Sequence, residues 1–176
     1  QIERDRRPAD ELAEHRKLER ALAALARQRP GTVDAYVVAV ALDSDPVFGR
    51  EARAAADVLS RGYGGQGRTL VLAGSDGSGP SELPRGSPLN IAIALARVAE
   101  LADENEDALI LYTTSHGAPF GLYYNDGDSG YGAISPNRLR SMLDQLGLRN
   151  RLLILSACYS GVFVPVLASP GTASVT

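Results

Sequence analysis

The chain has 176 residues, 44% of them hydrophobic, with a formal net charge of −3, one cysteine and two histidines. That length suits one domain with an ample core, and the mild negative charge supplies no general attraction to nucleic acid or to an anionic membrane. A single cysteine excludes an intrachain disulfide framework, no Cys/His cluster has zinc-site spacing, and no apolar run approaches the ~18 residues that would span a bilayer.

Residues 1–31 are rich in Arg, Glu and Ala, and Leu12, Leu18, Leu22 and Leu25 make a partial helical stripe closed by Pro30-Gly31. This predicts a helix that either packs on the domain or serves as a linker. His15 lies in it without a reactive neighbour and takes no role. Because the sequence starts at Gln1, an export signal or membrane anchor preceding it is compatible with this reading, and the compartment stays open.

Residues 32–176 read as one α/β domain. Val33 to Leu42 (VDAYVVAVAL) is β-branched and nearly all apolar, which predicts a central strand. Asp45 then caps, and Pro46 opens, a helix from about Val47 to Ser60. Arg50 falls near this loop-to-helix junction, where the strand ends should gather. As a planar, fixed donor it suits a carboxylate or an amide. Gly62 to Gly67 (GYGGQG) matches the dinucleotide pattern G-x-G-x-x-G, but it follows a helix and precedes a strand at Arg68 to Ala73. The fingerprint requires the reverse, so these glycines are a turn and no nucleotide cofactor is implied. A Gly/Ser/Pro-rich loop spans residues 74–86, and Ser87-Pro88 starts an Ala-rich helix to about Ala102.

The next two strands end in chemistry. DALILYTTSHG (Asp107 to Gly117) is an apolar run that stops at small polar residues, His116 and Gly117. Gly121 to Tyr124 and Tyr131 to Ala133 flank NDGDSG, a hairpin signal. Asp126, Asp128 and Gly130 resemble a calcium loop in spacing only, since the downstream bidentate Glu is missing. Ser135-Pro136 caps a helix that stops at Gly147. RLLILSACYSG (Arg151 to Gly161) then repeats the first design: Leu152 to Leu155 form a short buried strand that ends at the sole cysteine, Cys158, with Ser160 and Gly161 as a tight exit. In open α/β sheets ligands bind at the carboxyl edge of the strands. A Cys–His pair on neighbouring strand ends is the arrangement nucleophilic catalysis needs. Four strands with intervening helices make a sandwich with a mainly parallel sheet.

A strand ending in His-Gly, a hairpin, a helix and a strand ending in Ala-Cys-x-Ser-Gly resembles the legumain-like cysteine peptidases, the asparaginyl endopeptidase and glycosylphosphatidylinositol transamidase type. The carrying pieces are SHGAPFGLYY (115–124), ISPNRLRSMLDQLG (134–147) and LILSACYSG (153–161), and the likeness extends back to about Val33. The resemblance implies a caspase-like three-layer α/β sandwich and peptide-bond cleavage without a cofactor. Cys158 would be the nucleophile and His116 the acid for the leaving amine, with the N–H groups of Gly117 and Cys158 as the oxyanion hole. A free thiol titrates near ~8.5, and a helix starting just after Cys158 together with a protonated His would lower that.

Arg50 corresponds to the arginine lining the primary specificity pocket of such peptidases. Ser156 and Ser115, expected with Arg50 to be substrate-binding, stand where the family has acidic residues, two positions before the nucleophile and just before the histidine, so selectivity for asparagine is not carried over. The family sheet continues past the nucleophile, whereas this chain ends about 18 residues later. C-terminal strands are therefore expected to be missing from it, and another segment or a second chain is expected to complete the sheet, with residues 172–176 starting the next strand. The partner implied is a peptide or protein substrate. Two other readings stay open: a transamidase or ligase passing the acyl group to an amine, and a non-catalytic module of the same fold.

Overall fold

A computed structural model describes residues 2–3, 5–127 and 129–176. After a short strand β1 (Ile2–Glu3) comes helix α1 (Pro8–Ala23), shorter than the Pro30-Gly31 boundary suggested. Its stripe is used in part: Leu18 and Leu25 enter the main core, while Leu12 stays exposed. The chain then runs irregularly to β2 (Ala35–Ala41), held by Ala26 N–H donating to Gly67 O at 2.8 Å and Gln28 N–H donating to Leu101 O at 3.0 Å.

Strand β2 is buried at all seven positions, as its unbroken apolar run demands of a strand covered on both faces. Helix α2 (Pro46–Tyr63) follows, then β3 (Thr69–Leu72), α3 (Pro88–Leu101) and β4 (Ala108–Thr114). Each helix opens on a capping residue followed by proline, and the caps bond as the sequence implies. Asp45 accepts from Val47 N–H at 2.9 Å and Ser87 from Asn90 N–H at 3.0 Å.

Past β4 come β5 (Gly117–Ala118), β6 (Gly121–Asn125), β7 (Gly130–Ile134), α4 (Pro136–Asp144) and β8 (Asn150–Ser156). The chain closes with a single 3-10 turn (Ser160–Phe163), the four-residue helix α5 (Val164–Leu167) and β9 (Thr172–Val175). The main sheet has order β3-β2-β4-β8-β9 and is parallel throughout, with β9 a fifth strand at the place where the sequence suggested one beginning.

The alternation of side chains along β2 sorts the layers. Tyr36, Val38 and Val40 pack with Ile91 and Leu95 of α3, Leu139 and Leu143 of α4, and Leu18 of α1. On the other face Val37 clusters with Leu59 of α2, and Ala41 with Ala52 of α2. The result is a three-layer sandwich of the caspase-like kind. A second, antiparallel sheet of order β1-β7-β6-β5 sits beyond the carboxyl edge of the first, where the sequence signalled only the β6–β7 hairpin. It is fastened by Asn125 N–H donating to Leu42 O at 2.9 Å and Ser44 N–H donating to Asn125 O at 2.8 Å.

Candidate active site

The site follows from register. Strands β4 and β8 are adjacent and parallel, and Ala108 through Thr114 pair in order with Asn150 through Ser156. Two positions further along each strand stand His116 and Cys158, so equal steps off neighbouring strands bring them out side by side. The chain stays in step past the last pair, since Ser115 N–H donates to Ser156 O at 3.2 Å. Gly117 then lies directly against Cys158: a Cβ there would overlap the Cys158 carbonyl oxygen and come within 3.1 Å of Ala157 Cβ. Any residue other than glycine would push the two strand ends apart.

Both reactive side chains are exposed, and Cys158 is a free thiol. The exit after Cys158 is tight, but the residue in the left-handed region is Tyr159, with φ 59°, rather than Gly161. A β-substituted residue held there stores backbone strain, on the order of 1–3 kcal/mol. Ser160 N–H closes the turn on Ala157 O at 3.3 Å. The helix expected to begin just after the cysteine is only the 3-10 turn and the four residues of α5, so the helix dipole behind the thiol is small.

His116 is fixed from several sides. Its ring meets Phe48 of α2 edge-to-face, with centroids 5.1 Å apart. Its carbonyl accepts from Ser115 Oγ at 2.7 Å and from Tyr123 N–H at 2.9 Å. Ser115 is buried, and this bond within the loop uses its hydroxyl. One step earlier, Thr114 Oγ1 donates to Glu51 Oε2 at 2.6 Å and ties the strand end to α2. Ser156 is exposed at the end of β8. Arg50 is exposed on the side of α2 that faces the loop after β3, and its Nη1 donates to Asp76 O at 3.0 Å. Cys158, His116, Gly117, Ser115 and Ser156 are thus gathered at one edge, while the bond Arg50 makes is to the β3 side.

On the hairpin side of His116 a cleft of ≈ 590 Å³ opens, bounded by His116, Phe120, Tyr123, Tyr131, Gly132 and Ala133. Beneath it Tyr124 is buried, which pushes its phenol pKa up although Arg6 Nη2 donates to its oxygen at 2.8 Å. A smaller polar cavity of ≈ 250 Å³ lies between the ends of β2 and β3, with Asp43, Ser44 and Arg85 in its wall. The carboxylate of Asp126 accepts from Arg6 at 2.8 Å and from Arg85 at 3.2 Å, so this acid of the hairpin turn is engaged by two guanidiniums; Asp128 of the calcium-like spacing lies outside the described residues. Phe48, the strained Tyr159 and the aromatic cleft were not singled out from sequence. The exposed aromatics of GAPFGLYY were the available signal.

The model of the Peptidase C13 family, the legumain family, matches residues 90–176. Over these residues the chain is similar to the Peptidase C13 family. The match takes in α3 from Asn90, then β4 to β9, and so includes His116, Gly117 and Cys158. It begins well after Val33, and Arg50 lies outside it. No curated protein matches the chain. This similarity supports cysteine peptidase function in general terms.

Proposed function

We propose that this chain carries the catalytic centre of a cysteine endopeptidase that cleaves peptide bonds through an acyl-enzyme. The observation that supports it is the shared register of β4 and β8, which puts an exposed imidazole and an exposed thiol on neighbouring strand ends with Gly117 packed on Cys158. In this reading the Cys158 thiolate attacks the scissile carbonyl carbon, and the negative charge that develops on oxygen is met by the N–H groups of Gly117 and Cys158. His116 donates its proton to the leaving nitrogen as the C–N bond breaks, leaving a thioester on Cys158 and a free amine. Water, losing its proton to the now neutral His116, hydrolyses the thioester and restores the thiol.

Ser115 positions His116 by holding its carbonyl. Arg50 and Ser156 are assigned to recognition of the residue before the scissile bond, with Arg50 required to release Asp76 O to take part. The test is cleavage of a peptide library by the full chain, with products mapped by mass spectrometry. Cleavage at defined bonds that disappears in Cys158→Ala and in His116→Ala is expected. Retained cleavage in either variant would remove that residue from the chemistry. Arg50→Ala should redistribute the cleaved bonds, and an unchanged profile would take Arg50 out of recognition.

A further inference from the structure

The cleft beside His116 has a shape and a position that the catalytic reading alone does not use. Aromatic residues are few in this chain, seven Tyr and three Phe, yet three of them are exposed around this single concavity. Phe120 is 58% exposed, Tyr131 44% and Tyr123 38%, and Phe120 and Tyr123 brace each other edge-to-face at 5.7 Å. Such a cluster on a surface is costly to leave in water, which marks it as a contact site.

The exposed face of the β6–β7 pair is hollow: Tyr123 faces Ala133 across the strands, while the neighbouring pair of Tyr124 with Gly132 belongs to the buried face. Cross-strand partners of aromatics are commonly bulky. Here the partner on the exposed face is alanine, and the volume a larger side chain would fill is left open.

Direction decides the occupant. Across the sheet edge the order is Cys158 on β8, His116 on β4, then the cleft on the hairpin that follows β4. With the scissile carbonyl at the sulfur and the leaving nitrogen at the imidazole, the peptide continuing beyond that nitrogen runs over the cleft. We infer that this cleft is the subsite for the residue immediately after the scissile bond, and that it selects a large apolar side chain, aromatic or of leucine or methionine type. The inference rests on the peptidase reading above and adds its leaving-side specificity. Acidic side chains are disfavoured, because the wall is mostly aromatic faces and small apolar surface and its polar members include the Asp43 carboxylate.

The experiment uses the full chain and a peptide series that differs only in the residue after the cleaved bond, with Phe, Leu, Gly and Asp in turn. The expected result is a kcat/KM at least about tenfold higher for Phe or Leu than for Gly or Asp, the scale at which apolar pockets discriminate. Ala133→Phe, a substitution at an exposed position that fills the cleft, should bring the Phe peptide down to the Gly peptide. Phe120→Ala, also exposed, should narrow the same ratio, and neither variant should move the preference for the residue before the bond. Wild-type cleavage with equal rates across the series overturns the subsite and leaves the peptidase intact. A ratio that persists in both variants overturns it equally. If the wild type cleaves none of these peptides and none of the general library, the peptidase reading falls and the subsite with it.

Discussion

Gly117 is where the requirements of fold and chemistry meet. Its lack of a Cβ lets the chain after His116 lie on the carbonyl of Cys158, and in the proposed mechanism its N–H receives developing charge. Gly117→Ala must displace one strand end against backbone, so kcat should fall on the order of 10²- to 10³-fold, comparable with losing one oxyanion donor, and the urea midpoint should fall as well. Steady-state kinetics and urea titration of the same preparation check both parts. Tyr159 offers the opposite experiment. Its left-handed backbone is strained, so Tyr159→Gly should raise the stability read from urea titration by on the order of 1 kcal/mol, while lowering turnover as the exit from Cys158 loosens. A destabilised variant would show that the Tyr159 ring contributes more than its backbone costs. The two reactive residues were legible in the sequence because each ends an apolar run and is followed closely by a glycine. Their step-for-step register, which decides that they meet, came only with the strand pairing.

At the scale of elements, local signals were clearest where a bond is made within a few residues. The pairs Asp45-Pro46, Ser87-Pro88 and Ser135-Pro136 each start a helix where the sequence places one, and each cap accepts the expected N–H, Ser135 from Arg138 at 3.2 Å. Ser87→Ala should therefore cost about 1 kcal/mol of stability, read from the shift in chemical denaturation. The second sheet was only half legible. Its strands run from two to five residues, too short for periodicity to show, and they are set by distant partners: Tyr131 pairs with Ile2, and Asn125 with the end of β2. The direction of Arg50 was hidden for a related reason. Its position in the sequence put it at the right junction, but its bond is to Asp76, twenty-six residues away in a loop without secondary structure.

Across the whole molecule the reactive edge is one end of the sheet, and the other end is held by buried charge. Asp34, 1% exposed at the start of β2, accepts from Arg29 N–H at 2.7 Å and from the Arg29 guanidinium at 2.6 Å, with Arg68 3.5 Å away. Burial pushes its pKa up, but the bonds from Arg29 and the charge of Arg68 outweigh this and hold the carboxyl below its ordinary value. A carboxyl depressed in the folded state contributes stability above its unfolded pKa and loses it as pH falls through the folded one. The chain should thus be fully supported by this group near neutrality and weaken below about pH 4, and Asp34→Asn should be less stable at pH 7 with a flatter acid limb in thermal melts. At the reactive edge, the sulfur and the imidazole are claimed to work on one substrate. The direct measurement is mass-spectrometric mapping of the full chain after exposure to a peptidyl acyloxymethyl ketone at pH 7. A shared site yields one adduct, on Cys158, formed far more slowly in His116→Ala; a Cys158 that stays unlabelled, or that labels equally fast without His116, would contradict it.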